Sequence, residues 1–327
     1  MSQPSMPDAG MRYLDLRGFT MGTHWQVQCY ADTKFSSEEL QTGIQAQLDQ
    51  VVAQMSPWEF DSDISKFNRA SGNTWQVLPE DFFKVLQHSL FVAEQTQGAY
   101  DPSIGHLANL WGFGPLGKVS TTPDAPAIKH ALDLTQWRQI RLNADNHSAL
   151  QPGNIHLDLC STAKGFGVDQ VARYLQDSGI KSYLVEVGGE LRGLGCKPDA
   201  QPWWVELENL PESSSPVCVA ALHGIAIATS GDYRRYFEVA GHRYSHSIDP
   251  RTGYPVQHGV ASVTVLHPEC MIADALATAM TIMGLEAGMR YAKQLHAAAR
   301  FIVREKNGYS QHMSPAFLAM MEEDLDE

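Results

Sequence analysis

The sequence is poor in the features that mark several common classes of protein. Its 327 residues include five cysteines, an odd number without a C-x-x-C pair, so neither a disulfide framework nor a cysteine zinc site is predicted. Lys and Arg number 24 against 37 Asp and Glu, which gives a net charge of −13. Binding to nucleic acid in general needs a basic surface that displaces counterions, so this balance argues against a nucleic-acid partner.

The chain also lacks a long uncharged apolar run. The longest run covers residues 270–284 and has Asp274 inside it, so it is too short and too polar to cross a bilayer. Residues 1–18 are polar, with neither the apolar stretch of a signal peptide nor a cysteine that could carry a lipid. We therefore expect a soluble protein in the cytoplasm.

What is present is the composition of a folded protein with mixed secondary structure. Apolar residues make up 43% of the chain and charged residues 19%, close to the average of globular domains. Helix and strand patterns alternate without a strict βαβ rhythm, which favours an α+β fold. We expect a flexible segment at residues 1–18, one domain over residues 19–313 and an acidic tail at residues 314–327. The PESSSP stretch at 211–216 predicts a loop, and the patterns over residues 271–283 and 285–299 predict two helices separated at Gly284. Strand patterns on either side of Ala240 and Gly241 predict a hairpin.

The first segment with recognisable chemistry is residues 158–165, where a predicted strand passes through small residues into a helix. Backbone amides at a helix N-terminus, with Lys164 beside them, suit an anion such as phosphate. The alternative is an ordinary strand–helix junction with a solvated lysine.

Asp274 and Thr278 form a second candidate pair. They are four residues apart in a predicted helix and share one face, among Ala, Leu, Met and Ile. A carboxylate in such a helix is costly to bury unless it is paired or bound to a cation. Carboxylate and hydroxyl oxygens suit Mg²⁺, with phosphate and water as further ligands. Asp274 also lies close enough to the predicted helix start to be an N-cap.

Two loops complete the set. His246 ends a predicted strand just before a turn begun by Asp249 and Pro250, a position where it could act as a general base. Asp249 could equally do no more than start the turn. Residues 98–102 and 109–115 place aromatic rings and an acid on a Gly- and Pro-rich backbone, which could frame a flat heterocycle or cover an aromatic core.

Together these segments resemble the ApbE-type FAD:protein FMN transferases, a family of flavin transferases. Any one motif is a weak signal, whereas seven in family order, from about residue 19 to residue 299, make a specific match. The motifs are MGT (21–23), MSPWEFDSDISKFNR (55–69), GAYDPSIGHLANLWGFGP (98–115), LDLCSTAKGFGVD (157–169), LVEVGGELRGLG (184–195), ATSGDYRRYFEVAGHRYSHSIDPRTGYPV (228–256) and ADALATAM (273–280).

The resemblance implies an α+β architecture of two interlocked lobes with FAD in the cleft between them. It implies Mg²⁺ as a cofactor, held by the side chains of Asp274 and Thr278 and the carbonyl of Ala163. His246 corresponds to the base that deprotonates the acceptor hydroxyl. The residues implied to contact FAD are Met21, Trp58, Ala99, Tyr100, Asp101, Cys160, Lys164, Phe166 and Ile248. Cys160 stands where the family commonly has Gly or Ser, a change that a backbone contact tolerates.

The activity implied is Mg²⁺-dependent transfer of the FMN moiety of FAD to a Ser or Thr hydroxyl of an acceptor flavoprotein, with release of AMP. Acceptors in the family include subunits of membrane redox complexes. Two alternatives use the same residues: a Mg²⁺-dependent FAD pyrophosphatase, in which water replaces the hydroxyl, and a non-enzymatic flavin-binding accessory protein. Many family members are periplasmic or attached to the inner membrane, which is the alternative to a cytoplasmic location.

Overall fold

The structure is a computed structural model that describes residues 6–8, 10–210, 218–233, 235–239 and 241–322. The loop predicted at 211–216 and residues 323–327 of the predicted tail lie outside the described residues. The helices are α1 (Ser37–Met55), α2 (Asp63–Arg69), α3 (Glu80–Gln95), α4 (Gly105–Leu110), α5 (Ala125–Asp133), α6 (Cys160–Asp177), α7 (Cys270–Gln294) and α8 (Pro315–Glu322).

The strands are β1 (Arg12–Thr20), β2 (Thr23–Ala31), β3 (Thr74–Val77), β4 (Arg141–Asn143), β5 (Ser148–Gln151), β6 (Tyr183–Val187), β7 (Glu190–Leu194), β8 (Trp203–Glu206), β9 (Val219–Leu222), β10 (Ile225–Gly231), β11 (Tyr236–Val239), β12 (His242–Ser245), β13 (Ile248–Asp249), β14 (Tyr254–Pro255), β15 (Val260–His267), β16 (Ala298–Glu305) and β17 (Gly308–Met313).

The largest sheet among the described residues is antiparallel and has eight strands. Its strand order is β1-β2-β6-β7-β10-β15-β16-β17, and every neighbouring pair is antiparallel. The sheet β3-β5-β4 and the hairpins β8–β9, β11–β12 and β13–β14 lie outside it. Antiparallel strands with separate packed helices form an α+β fold, so the predicted class is confirmed. The interlocking of two lobes stays a prediction.

Both faces of the large sheet are covered. On one face, α1 and α6 pack on the sheet through Leu48, Val171 and Val185, and α7 packs through Leu276 against Phe301. On the other face, the β8–β9 hairpin and α8 bury a separate apolar cluster around Trp203, Leu222, Ile227 and Phe317. A polar side chain that points from the sheet toward α6 or α7 is therefore removed from water, and it needs a partner there.

The two ends of the described chain differ from the prediction. Residues 12–18, expected to be flexible, belong to β1, because Leu14 and Leu16 are buried while their neighbours face outward. A two-residue turn at Met21 and Gly22, with φ of 48° and 71°, joins β1 to β2. Within the predicted tail, α8 forms because Phe317 packs into the core with 5% of its surface exposed.

Helix α7 is interrupted at Gly284, whose φ of 78° and ψ of 177° are not helical, so the predicted break between two helices at this point is confirmed. By length and composition α7 could cross a membrane, yet 67% of its most apolar stretch of 18 residues is buried inside the protein. This burial is the pattern of a core helix. Helix α7 therefore places the side chain of Asp274 in the protein interior.

Candidate functional site

The site lies where Gly165 of α6 packs directly against the start of α7. A Cβ on Gly165 of α6 would lie 2.4 Å from the carbonyl oxygen of Cys270 and 2.9 Å from Cβ of Asp274, so the approach requires glycine. The backbone N–H of Gly165 donates to Oδ2 of Asp274 at 3.0 Å. Packing of the two helices therefore also positions the carboxylate.

Asp169, one turn further along α6, supplies the N-terminal cap of α7. Its Oδ1 accepts from the N–H of Cys270 at 3.0 Å, and its Oδ2 accepts from the N–H of Met271 at 2.9 Å. The residue before α7, Glu269, makes no side-chain capping bond of its own. Arg192 of β7 donates to Oδ1 of Asp169 at 2.5 Å and balances its charge. These bonds fix how α7 lies along α6.

The carboxylate of Asp274 lies inside the helix, because α7 begins at Cys270; the interpretation as an N-cap is therefore wrong. The residue is 3% exposed. Burial raises the pKa of Asp274 above its ordinary value, while Lys164 and the N–H of Gly165 oppose the rise. One turn later, Oγ1 of Thr278 lies 2.9 Å from Oγ of Ser230 on β10. The two oxygen donors share one face of the helix, as predicted.

Lys164 and Glu190 form an ion pair that joins α6 to β7. The side chain of Lys164 is 33% exposed and that of Glu190 only 3%. Burial by itself would lower the pKa of Lys164, but Glu190 and Asp274 raise it above its ordinary value. Burial raises the pKa of Glu190 to about 7, with Lys164 opposing. Within the described residues, Oε2 of Glu190 is buried without a hydrogen-bond partner. Two acids and one base thus share a poorly solvated region.

The oxygen donors fit a hard divalent cation. Among the residues that the structure describes, no three His, Cys, Asp or Glu side chains converge as a metal cluster. The donors are instead one buried carboxylate, Asp274, and one hydroxyl, Thr278, and the backbone of Ala163 lies on α6 two residues before Gly165, which contacts Asp274. Mg²⁺ typically takes one or two carboxylates and completes its shell with phosphate and water. The carboxylates of Asp274 and Glu190 outnumber the ammonium of Lys164, and this excess of negative charge also favours the binding of a cation.

The start of α6 differs from the predicted anion site. The N–H of Cys160 donates to Oδ1 of Asp158 at 2.9 Å, and the N–H of Thr162 donates to the carbonyl of Leu159 at 3.0 Å. These amides already have acceptors, and the Asp158 carboxylate would repel an anion there. Of the groups predicted to form the anion site, the ammonium of Lys164 is the one that carries a positive charge suited to a phosphate.

The segment at 98–115 is tied to α6 through Tyr100. The buried hydroxyl of Tyr100 lies 2.5 Å from Oγ1 of Thr162, and it accepts from Oγ of Ser161 at 3.2 Å. Asp101 is turned toward its own loop, where Oδ1 accepts from the N–H and Oγ of Ser103 at 2.7 and 2.6 Å. Burial raises the pKa of Asp101 to about 6, although these bonds oppose it. Tyr100 therefore holds the loop against α6, and Asp101 holds the shape of the loop itself.

The same segment also reaches the turn after His246. Nε1 of Trp111 donates to the carbonyl of Gly253 at 2.8 Å, and its ring stacks on Tyr244 with centroids 5.5 Å apart. The ring of Phe113 lies 6.2 Å from that of His246. Residues 98–115 thus bridge the helix pair and the histidine loop.

His246 directly follows β12 and is half-buried. Its N–H and its Nδ1 each lie 3.1 Å from the carbonyl oxygen of Arg235. Because a carbonyl only accepts, the neutral ring carries its proton on Nδ1 and its lone pair on Nε2. Burial, together with the charges of Arg235 and Lys164, lowers the pKa of His246 to about 4, although the bond to the carbonyl of Arg235 opposes the fall. The ring is therefore neutral at physiological pH and lies within the electrostatic field of Lys164.

The other predicted flavin contacts lie in different surroundings. Phe166 and Ala99 are buried, and Ile248 packs in a cluster with Trp111. Met21 packs between two core clusters. Trp58 is 46% exposed, which gives it an aromatic face that a ligand could cover.

Sequence reasoning missed Asp169 and Glu190 as parts of this site. Both lie inside matched motifs, on α6 and β7. One sequence signal could have pointed to them: each acid stands at a position where the periodicity of its helix or strand predicts a side chain that points inward. Their partners lie on other elements, so their roles were not visible in the pattern.

Comparison with known proteins gives a consistent result. The sequence model of the ApbE family matches residues 21–302. The FAD:protein FMN transferase of Haemophilus influenzae is 37% identical over 95% of this chain and 92% of its own length. That of Vibrio cholerae is 38% identical over 92% and 91%. The crystal structure of the apo flavinyl transferase ApbE from Pseudomonas stutzeri superposes with a TM-score of 0.88, at 34% identity over 95% of this chain and 97% of that one.

Proposed function

The chain belongs to the ApbE family, and from this premise we propose that it transfers the FMN moiety of FAD to an acceptor protein. Relatives that align over more than nine tenths of both chains carry the name FAD:protein FMN transferase. The observation within the molecule that best supports the proposal is the buried group of Asp274, Lys164 and Glu190, with Thr278 one turn away. It combines donors for a divalent cation with a cation for phosphate.

In the proposed reaction, a Ser or Thr hydroxyl of the acceptor attacks the phosphorus on the FMN side of the FAD diphosphate. A P–O ester bond to the acceptor forms, the P–O bond to the bridging oxygen breaks, and AMP leaves with that oxygen. Positioning and neutralisation of charge contribute most of the rate in phosphoryl transfers of this kind.

His246 is the proposed general base. Its Nδ1 is directed at the carbonyl of Arg235, so Nε2 is the atom that would take the proton from the acceptor hydroxyl. A neutral ring is needed for this step, and burial keeps His246 neutral. The backbone bond of its own N–H to the same carbonyl holds the residue in place.

The charged groups would act on the diphosphate. Mg²⁺ bound by Asp274, Thr278 and the carbonyl of Ala163 would supply neutralisation of its negative charge. Lys164 would contribute a second positive charge from α6, and Asp169 and Gly165 hold α7 in the position that this arrangement needs. The aromatic surfaces of Trp58 and Phe166 are proposed to contact the flavin.

The proposal is tested by intact mass. The protein is incubated with FAD, MgCl₂ and purified flavin-carrying subunits of membrane redox complexes. The expected result is an acceptor heavier by FMN less one water, with AMP in equal amount. Asp274→Ala should abolish the gain, whereas Asp133→Ala, at a surface ion pair on α5, should not change it.

The pyrophosphatase alternative makes a different prediction. Without an acceptor, it would convert FAD to FMN and AMP at an undiminished rate. Rapid turnover of that kind, with no labelled acceptor in any reaction, would overturn the transferase proposal.

A further inference from the structure

Lys164 lies between two buried carboxylates. Its ammonium is bonded to Glu190, and the charge of Asp274 also acts on it. The lysine side chain is flexible, so its ammonium can change partner, whereas Glu190 is held on a strand of the central sheet with 3% of its side chain exposed. The ion pair with Glu190 therefore determines where the flexible side chain of Lys164 places its charge.

We propose that Glu190 is a positioning residue that holds the ammonium of Lys164 against β7, and so keeps the carboxylate of Asp274 free for a divalent cation. The inference rests on the proposed function, because it takes the cation to bind at Asp274. Glu190 itself makes no contact with the cation in this proposal.

Charge balance carries the argument. In its ion pair with Lys164, Glu190 is ionised, and Asp274, Glu190 and Lys164 then bear one net negative charge together, which attracts a divalent cation. Without Glu190, Lys164 and Asp274 would be left as one acid and one base in poorly solvated surroundings, where opposite charges attract strongly. The ammonium would then turn to Asp274 and compete with the cation for its oxygens.

Lys164 is the cation on which the carboxylate of Glu190 depends, beside the backbone N–H of Glu190 itself, which also favours the charged form. Within the described part of the chain, its buried Oε2 has no hydrogen-bond partner, and the ammonium of Lys164 is bonded to its Oε1. A carboxylate that depends on one cation retains it firmly, since losing that cation would leave a buried charge uncompensated.

The test measures the Mg²⁺ requirement for FAD binding, by flavin fluorescence, without acceptor. The half-saturating Mg²⁺ concentration should rise at least tenfold in Glu190→Gln, which keeps the shape of the side chain but not its charge. Lys164→Met removes the competing ammonium together with a charge proposed for the diphosphate, so this single variant is the reference for the double variant. In Glu190→Gln/Lys164→Met the half-saturating Mg²⁺ concentration should lie within about threefold of that in Lys164→Met. Asp133→Asn, which breaks an exposed Lys–Asp pair, is the matched control and should leave the requirement unchanged.

Loss of the Glu190→Gln effect in the Lys164→Met background separates positioning from a structural role, because damage to the fold would raise the Mg²⁺ requirement in either background. Equal Mg²⁺ requirements in the wild type and Glu190→Gln would overturn this inference alone. So would a double variant whose Mg²⁺ requirement exceeds that of Lys164→Met by as much as Glu190→Gln exceeds the wild type. A wild type that binds FAD without regard to Mg²⁺ and labels no acceptor would overturn the proposed function as well.

Discussion

Gly165 donates its backbone N–H to Oδ2 of Asp274 at a position where no larger residue fits between the two helices. A hydrogen bond from a main-chain donor cannot rotate away as a side chain can. The orientation of the carboxylate is thus set by the packing of α6 on α7. The same contact links the stability of the fold to the chemistry proposed for the site.

Gly165→Ala should separate the helices, because the added Cβ would lie 2.4 Å from the carbonyl oxygen of Cys270. We expect a loss of about 1–3 kcal/mol in the free energy of unfolding by urea, the usual cost of overpacking, and a higher Mg²⁺ requirement. Gly167→Ala on the same helix is the control. Its Cβ would meet only the ends of Met21 and Leu48, at 3.2 and 3.3 Å, so stability should change little. Equal effects of the two changes would contradict this account.

Asp169→Ala should remove the cap of α7. We expect a loss of about 1–3 kcal/mol in unfolding free energy, because two N–H groups and Arg192 lose their acceptor, together with weaker Mg²⁺-dependent FAD binding. Asp124→Ala removes the exposed cap of α5 and should cost about 1 kcal/mol without changing the Mg²⁺ requirement. An unchanged Mg²⁺ requirement in Asp169→Ala would show that this cap does not position Asp274.

The pKa of His246 is about 4, so the ring is neutral and able to act as a base above that pH. The activity should therefore show the pH dependence of a base with this pKa. The ring loses its proton as the pH rises through that value, so kcat/KM at saturating Mg²⁺ should increase there. His246→Asn should lower kcat by about 10²–10⁴-fold, the usual contribution of a general base, and remove this limb of the profile. A limb centred near pH 6.5 that persists in His246→Asn would argue for another base.

Stability should also fall in acid through a histidine pair away from the site. The rings of His106 and His156 stack with centroids 3.9 Å apart, and burial, together with the charge of His106, lowers the pKa of His156 to about 4. In the unfolded chain a histidine takes up its proton near pH ~6.5. Between these two pKa values the unfolded chain binds a proton at His156 that the folded chain does not bind. The contribution of the neutral His156 to the free energy of unfolding is therefore present above about pH 6.5 and is lost as the pH falls toward 4.

The measurement is the free energy of unfolding by urea at pH 7 and at pH 5. His156→Asn should lose less stability than the wild type between the two, whereas the exposed His242→Asn should lose as much as the wild type. Identical losses in all three proteins would mean that the stacked pair does not titrate as described.

Local features of the fold could be read from the sequence. The break in α7 at Gly284 and the shared face of Asp274 and Thr278 follow from glycine and from helical periodicity, both short-range properties of the backbone. The hairpin β11–β12 was likewise visible in its alternation around Gly241. The start of β1 was missed because its charged outward residues concealed the alternation of Leu14 and Leu16.

By itself, then, the sequence determined the α+β class, the family, and which residues could supply oxygen donors and a base. Only the tertiary structure decided that Lys164 pairs with Glu190 and that Asp169 caps α7, 101 residues further along the chain. The physical reason is that periodicity reports which side of an element faces inward. The partner found there depends on how distant elements pack, and the burial of both charges makes that partner matter.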